Sequence, residues 1–155
     1  MSPHEQVRKS MEEMAEAFAQ NGVALEMPPQ SNRTLNTEYV EIDYGKMLAA
    51  QIKFDTRFTN PMRMLQGGFL CAAIDEVFGP LTYMAAARPV VTIEMSTSFL
   101  RPFTAKDEFV TIKAEVVSKS KTLLVLKAEV HSKEGKLIAS ASNHSLIVSD
   151  QNLKK

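Results

Sequence analysis

Residues 60–87 read NPMRMLQGGFLCAAIDEVFGPLTYMAAA, and this stretch decides the fold. From Leu70 onward its apolar residues recur at intervals of three and four, which is the period of an α-helix with one covered face. The residues of this apolar stripe are Leu70, Ala73, Ile74, Val77, Phe78 and Leu81. The stretch is therefore predicted to form one long helix that the rest of the chain covers.

The opposite face of this helix carries small residues and a single carboxylate. Its members are Ala72, Asp75, Gly79 and Thr82. Small side chains allow a second backbone to come close to Asp75. An isolated acid on a helix is usually solvated, or buried with satisfied hydrogen bonds. The alternative interpretation is that Asp75 is catalytic, and this interpretation gains support from the residues at the start of the helix.

Gly67 and Gly68 stand where the helix is predicted to begin. The first N–H groups of a helix have no partner within it, and together with the helix dipole they favour negative charge. Gly67 and Asp75 are eight residues apart, which is roughly 12 Å along the axis. An antiparallel second copy would bring Asp75 of one subunit near Gly67 of the other. The pattern therefore predicts a homodimer with two composite sites.

The composition indicates one globular domain spanning residues 1–155. Hydrophobic residues make up 45% of the chain, which is enough for a sizeable core. Eighteen basic residues balance 18 acidic ones, and no basic run is longer than Lys154-Lys155. We therefore expect no nucleic acid partner.

The sequence gives no reason to expect a metal, a disulfide or a membrane. Cys71 is the only cysteine and has no neighbouring histidine, so we interpret it as a packing residue. The three histidines, His4, His131 and His144, lack metal-ligand spacing. The amino terminus lacks the pattern of an export signal, and no apolar run is long enough to cross a bilayer. These observations predict a cytoplasmic protein.

The first 35 residues are predicted to hold a helix and a connector. Residues 4–20 show helical spacing of apolar side chains, and Asn21-Gly22 ends the helix. Its apolar positions are Val7, Met11, Met14 or Ala15, and Phe18. This helix is interpreted either as a cap on the core or as a lid over a substrate channel. Residues 27–33, with Pro28-Pro29, are predicted to be an irregular connector.

Residues 36–148 form the predicted core around the long helix. Val40, Ile42 and Tyr44 alternate with charged residues, and Gly45-Lys46 supplies a turn. The returning strand has Leu48, Ala50, Ile52 and Phe54 on one face, which completes a β-hairpin. Four further strands are predicted at 90–100, 108–117, 122–131 and 136–148. The chain is therefore predicted to be an α+β domain in which a curved antiparallel sheet wraps around one helix.

Two local predictions concern Pro80 and the strand that follows the long helix. A proline inside a helix lacks an N–H donor and clashes with the preceding turn, so we expect a kink or break near Gly79. On the strand, Val91, Ile93 and Met95 are expected to face the helix. Thr92 and Glu94 would then point the other way, toward solvent or a subunit interface.

The residues that could take part in a reaction form a recognisable series. It consists of Asn60, Gln66-Gly67-Gly68, Asp75, the strand sequence VTIEM at 91–95 and FLRP at 99–102. In order and spacing this series resembles the PaaI-like acyl-CoA thioesterases of the 4-hydroxybenzoyl-CoA thioesterase superfamily, over residues 36–148. The resemblance implies the hotdog fold, in which a curved sheet wraps a central helix, and it implies hydrolysis of acyl-CoA.

The resemblance also implies roles for individual residues. Asp75 would be the general base or the nucleophile that attacks the thioester, and Gly67 would offer its N–H to the thioester oxygen from the neighbouring subunit. Asn60 and Thr92 would orient the attacking water or the carboxylate. Gln66 stands where the family usually has a histidine, so polarisation of the thioester would fall to an amide.

The remaining implied contacts concern substrate binding. Gly68 would adjoin the thioester, and Arg101 lies where such proteins often meet the phosphates of coenzyme A. Met62 and Met64 either line an acyl pocket or only pack their loop. No cofactor is expected beyond the coenzyme A of the substrate, and the protein is expected to self-associate as a dimer or a dimer of dimers.

Two other functions remain open at this point. A dehydratase acting on 3-hydroxyacyl thioesters would use a histidine for proton transfer, and no histidine lies between His4 and His131. A non-catalytic acyl-CoA binding module would keep the pocket and would not need Asp75. The sequence does not specify the acyl group.

Overall fold

The computed structural model describes residues 1–148. The last seven residues of the predicted 1–155 domain lie outside the described residues. The helices are α1 (Pro3–Gln20), α2 (Gln30–Leu35) and α3 (Gly67–Ala86). The strands are β1 (Glu38–Asp43), β2 (Met47–Lys53), β3 (Val90–Phe99), β4 (Phe109–Lys119), β5 (Leu123–Ser132) and β6 (Leu137–Ile147). Two short 3₁₀ turns lie at Thr56–Phe58 and Ala105–Asp107.

All six strands belong to one antiparallel sheet in the order β1-β2-β4-β5-β6-β3. Helix α3 packs on one face of this sheet, and Ile74, Val77 and Leu81 on its inner side are fully buried. The sheet contributes residues such as Ile112 and Leu126 to the same core. The predicted α+β architecture, with a curved sheet around one central helix, is confirmed.

Helix α3 is long and apolar enough to span a membrane by length and composition. More than half of its residues are buried inside the protein. Its hydrophobicity is therefore explained by its position in the core, where the sheet covers its apolar stripe.

Helix α1 covers the outer edge of the sheet. Ser2 caps its start, since the Ser2 hydroxyl accepts from the Glu5 N–H while the Glu5 carboxylate accepts from the Ser2 N–H. Val7 is fully buried, and the ring nitrogen Nδ1 of His4 accepts a hydrogen bond from the Tyr39 N–H at 3.3 Å. An edge strand exposes unpaired backbone groups, so this contact protects β1. The contact supports the interpretation of α1 as a cap.

The predicted irregular connector at 27–33 is wrong in its second half, because α2 begins at Gln30. Tertiary packing outweighs the weak local propensity of this segment. Asn32 and Leu35 are buried, and the Asn32 side-chain N–H₂ donates to the Tyr39 hydroxyl at 3.2 Å. The helix ends at Asn36, which adopts a left-handed conformation with φ of 51°.

The first strand faces the core with a different residue from the one expected. Val40 is 37% exposed, whereas Tyr39 is only 3% exposed. The pairing of β1 with β2 is irregular between Tyr39 and Glu41, so one residue is inserted and the alternation shifts. A bulge of this kind leaves no trace in the period-two pattern, and the prediction for Val40 was therefore wrong.

The expected break at Pro80 is absent, because α3 continues to Ala86. Proline at this position leaves the Glu76 carbonyl without its helical partner. The Tyr39 hydroxyl supplies the missing donor at 3.1 Å. Burial raises the pKa of Tyr39, so this hydroxyl keeps its proton. A tertiary contact thus repairs the helix at its weakest point.

We expect Tyr39→Phe to lower the free energy of unfolding by about 1–3 kcal/mol, the usual cost of leaving buried hydrogen-bonding groups unpaired. Both the Glu76 carbonyl and the Asn32 amide would lose a partner. Chemical denaturation measures the change. Tyr44→Phe is the matched control, because the exposed Tyr44 hydroxyl hydrogen-bonds only with Ser10 among residues 1–148. Equal stability of the two variants would contradict this account of α3.

Candidate active site

The start of α3 carries two backbone donors without partners. Gln66 is the N-cap residue, and its side-chain oxygen accepts from the Phe69 N–H at 3.2 Å. Across residues 1–148, the N–H groups of Gly67 and Gly68 have no hydrogen-bond partner. They stand at the positive end of a 20-residue helix. This helix start can therefore bind an oxygen atom that gains negative charge.

Gly67 has a close neighbour in Phe99, which sequence reasoning missed. A β-carbon at Gly67 would lie 3.1 Å from Cζ of Phe99, at the end of β3. A β-carbon at Gly68 would lie 2.9 Å from the side-chain oxygen of Gln66. The two glycines therefore allow the capping amide and the aromatic ring to sit directly against the helix start.

Asn60 shapes the loop that leads into this helix. Its side-chain oxygen accepts from the N–H groups of Met62 and Met64, at 3.0 and 3.1 Å. This part of Asn60 is occupied by the loop, which leaves its N–H₂ group for contact with water or substrate. Met62 is 75% exposed and Met64 is half-buried. Neither methionine lines a cavity described below.

Asp75 lies on the side of α3 that is turned away from the buried stripe. Its side chain is exposed in the single chain, and its carboxyl group is partly desolvated. Burial raises the pKa of Asp75, and a side-chain hydrogen bond with Thr92 opposes this by lowering it. A carboxyl with a raised pKa stays closer to neutrality and is a better proton acceptor once it is ionised. The structure thus brings together two of the predicted site residues, Asp75 and Thr92.

The predicted orientation of the β3 side chains was wrong. Val91 and Ile93 are 54% and 59% exposed, whereas Thr92 pairs with the buried Ser145 and so lies on the helix-facing side of the sheet. The pairing of β3 with β6 is irregular between Thr92 and Glu94, so the strand changes face at this point. Met95 lies beyond the irregularity and packs against the core as expected.

Behind Thr92 lie two polar residues of β6 that sequence reasoning missed. The Asn143 N–H₂ group donates to the Thr92 hydroxyl at 3.4 Å, and the Ser145 hydroxyl donates to the Asn143 side-chain oxygen. Both Asn143 and Ser145 are fully buried. In the sequence, these two residues are recognisable as polar side chains at two alternate positions of a strand whose other inward positions are apolar.

Arg101 lies two residues beyond Phe99 and is exposed. Its guanidinium donates to the Leu137 backbone oxygen at 2.8 Å, which holds the side chain against the end of β6. Because Phe99 touches Gly67, this cation stands at the same end of the molecule as the start of α3.

Within residues 1–148, two well-defined cavities can be described, and neither of these two is lined by Asp75 or Gly67. The larger, of about 630 Å³, lies between α1 and the end of α3 and is lined by residues including Met11, Phe18, Tyr83 and Met84. The smaller, of about 280 Å³, borders Phe58, Leu65 and Phe69. Within residues 1–148, no group of three His, Cys, Asp or Glu side chains is placed to hold a metal ion.

The strand beside Asp75 is an open edge of the sheet. β3 pairs only with β6 within the described chain, whereas the opposite edge, β1, is covered by α1. The open edge carries the exposed apolar side chains of Val91 and Ile93. Long apolar edge strands are rarely left bare, because they pair readily with other strands. The edge and the exposed carboxylate lie on the same side of the molecule.

Comparisons of the sequence identify relatives. The chain matches the family model of the thioesterase superfamily over residues 63–139. A Saccharolobus solfataricus protein named as an esterase is 31% identical over 109 residues, which are 69% of this chain and 75% of the relative.

Comparisons with solved structures find proteins of similar fold. The E. coli PaaI protein from the phenylacetic acid degradation operon is similar with a TM-score of 0.74 and 17% identity, over 92% of this chain and 96% of PaaI. A Ralstonia eutropha protein described as a thioesterase related to phenylacetic acid degradation has a TM-score of 0.71 and 25% identity, over 79% and 92%. The hotdog fold implied by the sequence resemblance is confirmed.

Proposed function

Because the chain belongs to the thioesterase superfamily, we propose that it hydrolyses acyl-CoA thioesters to a free acid and coenzyme A. The observation that carries this proposal is a single helix, α3, with the unpaired N–H groups of Gly67 and Gly68 at its start and the partly desolvated carboxylate of Asp75 further along. A carboxylate in such a setting is suited to accept a proton from water or to attack a carbonyl carbon.

In the proposed reaction, Asp75 acts on the thioester directly or through a water molecule. In the water route, the carboxylate takes a proton from water as the water oxygen bonds to the carbonyl carbon. The carbon–sulfur bond then breaks, and the leaving thiolate of coenzyme A takes up the proton that Asp75 removed from water. Thr92 orients the carboxylate or the water.

The negative charge that develops on the thioester oxygen would be bound by the N–H of Gly67, with Gly68 beside it. On one chain these glycines lie roughly 12 Å along the helix axis from Asp75, because helical residues rise about 1.5 Å each. We therefore assign the two groups of one site to two subunits of a dimer or of a dimer of dimers. The open β3 edge and the exposed Ala72, one turn before Asp75 on α3, support this assembly.

The other predicted site residues are assigned to positioning and binding. The side-chain oxygen of Gln66 is engaged in the helix cap, so its N–H₂ group is the part left for the thioester. The N–H₂ group of Asn60 would hold water, and Arg101 would bind a phosphate of coenzyme A. Met62 and Met64 would contact the acyl group only where a partner subunit covers them. We propose a cytoplasmic enzyme with no cofactor, nucleic acid or membrane partner.

The experiment that tests this function is a panel of acyl-CoA substrates with short, medium, long and aromatic acyl groups, with free thiol as the readout. Release of thiol that depends on Asp75 supports hydrolysis. Binding of acyl-CoA without thiol release would indicate a non-catalytic binding module instead. Conversion of a 3-hydroxyacyl thioester to an enoyl thioester would indicate a dehydratase, although none of the three histidines contacts Asp75 within the described structure.

The pH dependence of hydrolysis should follow Asp75. Burial raises the pKa of this carboxyl, and the base must be ionised, so kcat/KM should fall as the pH decreases through that raised pKa. The acid limb should therefore lie above the ordinary aspartate value of about 3.9. A pH–rate profile measures the limb, after stability at each pH has been checked. An acid limb at the ordinary value would contradict the assignment of Asp75 as a desolvated base.

A further inference from the structure

The larger cavity lies beneath the second half of α1. This helix is fixed at its start, where Val7 is fully buried, and Val7 is the only buried residue within α1. The apolar residues that follow it, Met11, Met14 and Phe18, are half-buried and line the cavity of about 630 Å³. An amphipathic helix usually buries its apolar stripe against the core. The stripe of α1 therefore has apolar surface left for a further group.

The other wall of this cavity is formed by the last part of α3. Pro80 and Met84 line the cavity there. They follow Asp75 by five and nine residues, and at about 100° per residue they point about 140° and 180° away from it. The cavity therefore lies on a different side of α3 from the candidate catalytic carboxylate.

Two hydrogen-bond donors accompany the apolar walls. Arg88 lines the cavity and is exposed, and its guanidinium has no salt bridge with any of residues 1–148. Tyr83 also lines the cavity, and burial raises the pKa of its hydroxyl, which therefore keeps its proton. The carbonyls at the end of α3 carry partial negative charge, and Lys119 offsets it by donating to the Ala85 carbonyl at 2.6 Å. The cavity thus offers a cation and a hydroxyl donor to an anion.

We propose that this cavity binds a single-chain carboxylic acid, with its carboxylate at Arg88 and Tyr83 and its alkyl chain along the apolar stripe of α1. A guanidinium binds a carboxylate through charge-assisted hydrogen bonds. Methionine side chains are flexible and adapt to apolar ligands of varied shape. The volume lies within the range of small-molecule sites, which are mostly apolar with a few polar groups. The inference goes beyond the proposed function, because neither Asp75 nor Gly67 takes part in it.

The charges around the cavity favour a head group with a single negative charge. Arg88 is the one cation among the lining residues, and Glu13 is a carboxylate among them. The Glu13 carboxylate lies 3.8 Å from the Lys9 ammonium, which balances its charge. A phosphate ester, or coenzyme A with its several phosphates, would bring more negative charge than one guanidinium balances. The ligand is therefore an acid rather than its phosphate or coenzyme A derivative.

The test is a titration of the whole protein with decanoate, at concentrations below those at which decanoate forms micelles. NMR of carbon-13-labelled methionine methyl groups follows the binding. Met11, Met14 and Met84 line the cavity, so their signals should shift together and saturate at one decanoate per chain. Met62 and Met64 do not line it and provide internal controls that should not follow this binding curve.

Arg88→Gln should weaken decanoate binding about tenfold or more, as expected for the loss of a charge-assisted hydrogen bond. The matched control is Arg8→Gln, which removes a cation from the outer side of α1, where Arg8 pairs with Glu12. This control should bind decanoate as the unmodified chain does. Decanol has the same chain without the charge, so Arg88→Gln should leave its binding unchanged. Decyl phosphate should bind more weakly than decanoate.

Met14→Trp tests the place of the alkyl chain. The larger side chain occupies part of the cavity from the middle of the apolar stripe, so it should weaken the binding of decanoate and decanol alike. Chemical denaturation checks that the variant is folded. If it does not fold, the Arg88→Gln variant and the methionine signals of the unmodified chain carry the test, because Arg88 is exposed and its replacement disturbs no core packing.

The inference is overturned if the signals of Met11, Met14 and Met84 do not respond to decanoate. It is also overturned if Arg88→Gln and Arg8→Gln weaken binding equally, if decyl phosphate binds as tightly as decanoate, or if folded Met14→Trp binds decanoate unchanged. Because decanoate is not a thioester, this result stands apart from the substrate panel. A protein that binds decanoate in this cavity but releases no thiol from acyl-CoA would refute the proposed function and leave the acid site intact.

Discussion

Asp75→Asn is expected to lower kcat by at least about 100-fold on the best acyl-CoA substrate, because the loss of a general base typically costs that much. The amide keeps the shape of the carboxylate and can still accept from Thr92. It can neither take a proton from water nor attack the thioester at a useful rate. The KM should change less than kcat, since the charge acts mainly in the transition state. Thiol release under saturating substrate measures the effect.

The stability of this variant provides an internal control. The folded-state pKa of Asp75 is raised by burial, so ionisation of Asp75 opposes folding once the pH exceeds the unfolded value. Removing the charge should therefore leave the protein at least as stable at neutral pH as the unmodified chain. A loss of activity together with unchanged or increased stability separates a catalytic role from a structural one.

The matched variant is Glu76→Gln, which removes the neighbouring carboxylate from the same helix. Its backbone carbonyl still accepts from Tyr39, and adjacent helical residues point about 100° apart. Hydrolysis should persist in Glu76→Gln. Near-normal turnover by Asp75→Asn would remove Asp75 from the reaction, whatever Glu76→Gln does.

The fold was predictable from the sequence because its decisive signals are local and periodic. The stripe from Leu70 to Leu81 identified the central helix, and the alternation after residue 36 identified six strands. Apart from the missed helix α2, whose local propensity is weak, the errors occur where a single residue breaks a period. The irregular pairings at Tyr39 and Thr92 each exchange the faces of a strand, and no local pattern marks them. The Glu76 carbonyl, which Pro80 leaves without its helical partner, is satisfied by a hydroxyl 37 residues away in sequence.

The candidate site was predictable only in part, for the same physical reason. Gly67 and Asp75 could be identified because helix geometry relates residues within one element. Thr92 came from the family resemblance, and its expected orientation was wrong. Asn143 and Ser145 were missed because their importance comes from burial and from a contact across 51 residues of sequence, between Asn143 and Thr92. Single-sequence patterns do not report such contacts.

The shared site leads to the second large expected effect, which is recovery of activity when two inactive variants are mixed. Asp75→Asn removes the carboxylate from both sites of a homodimer. Gly67→Pro removes the oxyanion donor from both, since proline has no N–H. Proline is well tolerated as the first residue of a helix, and the preceding residue, Gln66, already has the extended backbone that a following proline prefers. Each variant alone should be inactive and folded.

Gly67→Ala is the matched control for the proline variant. Alanine adds the same β-carbon against Phe99, where the contact would be 3.1 Å, but it keeps the N–H. Activity in Gly67→Ala and its absence in Gly67→Pro would assign the loss to the missing donor rather than to crowding of the aromatic ring. Equal losses in the two variants would show that the space at Gly67, and not its N–H, is what the reaction needs.

Mixing the Asp75→Asn and Gly67→Pro chains under conditions of subunit exchange should restore hydrolysis. A heterodimer has one site with both lesions and one site with neither, because the intact Asp75 comes from one chain and the intact Gly67 from the other. Each heterodimer should have about half the activity of the unmodified dimer, and free exchange of equal amounts makes about half of all dimers heterodimers. The mixture should therefore reach about a quarter of full activity. Native mass spectrometry quantifies the heterodimers, and activity should rise in proportion to them. If heterodimers form from folded chains and no activity returns, Asp75 and Gly67 do not build one site across two subunits.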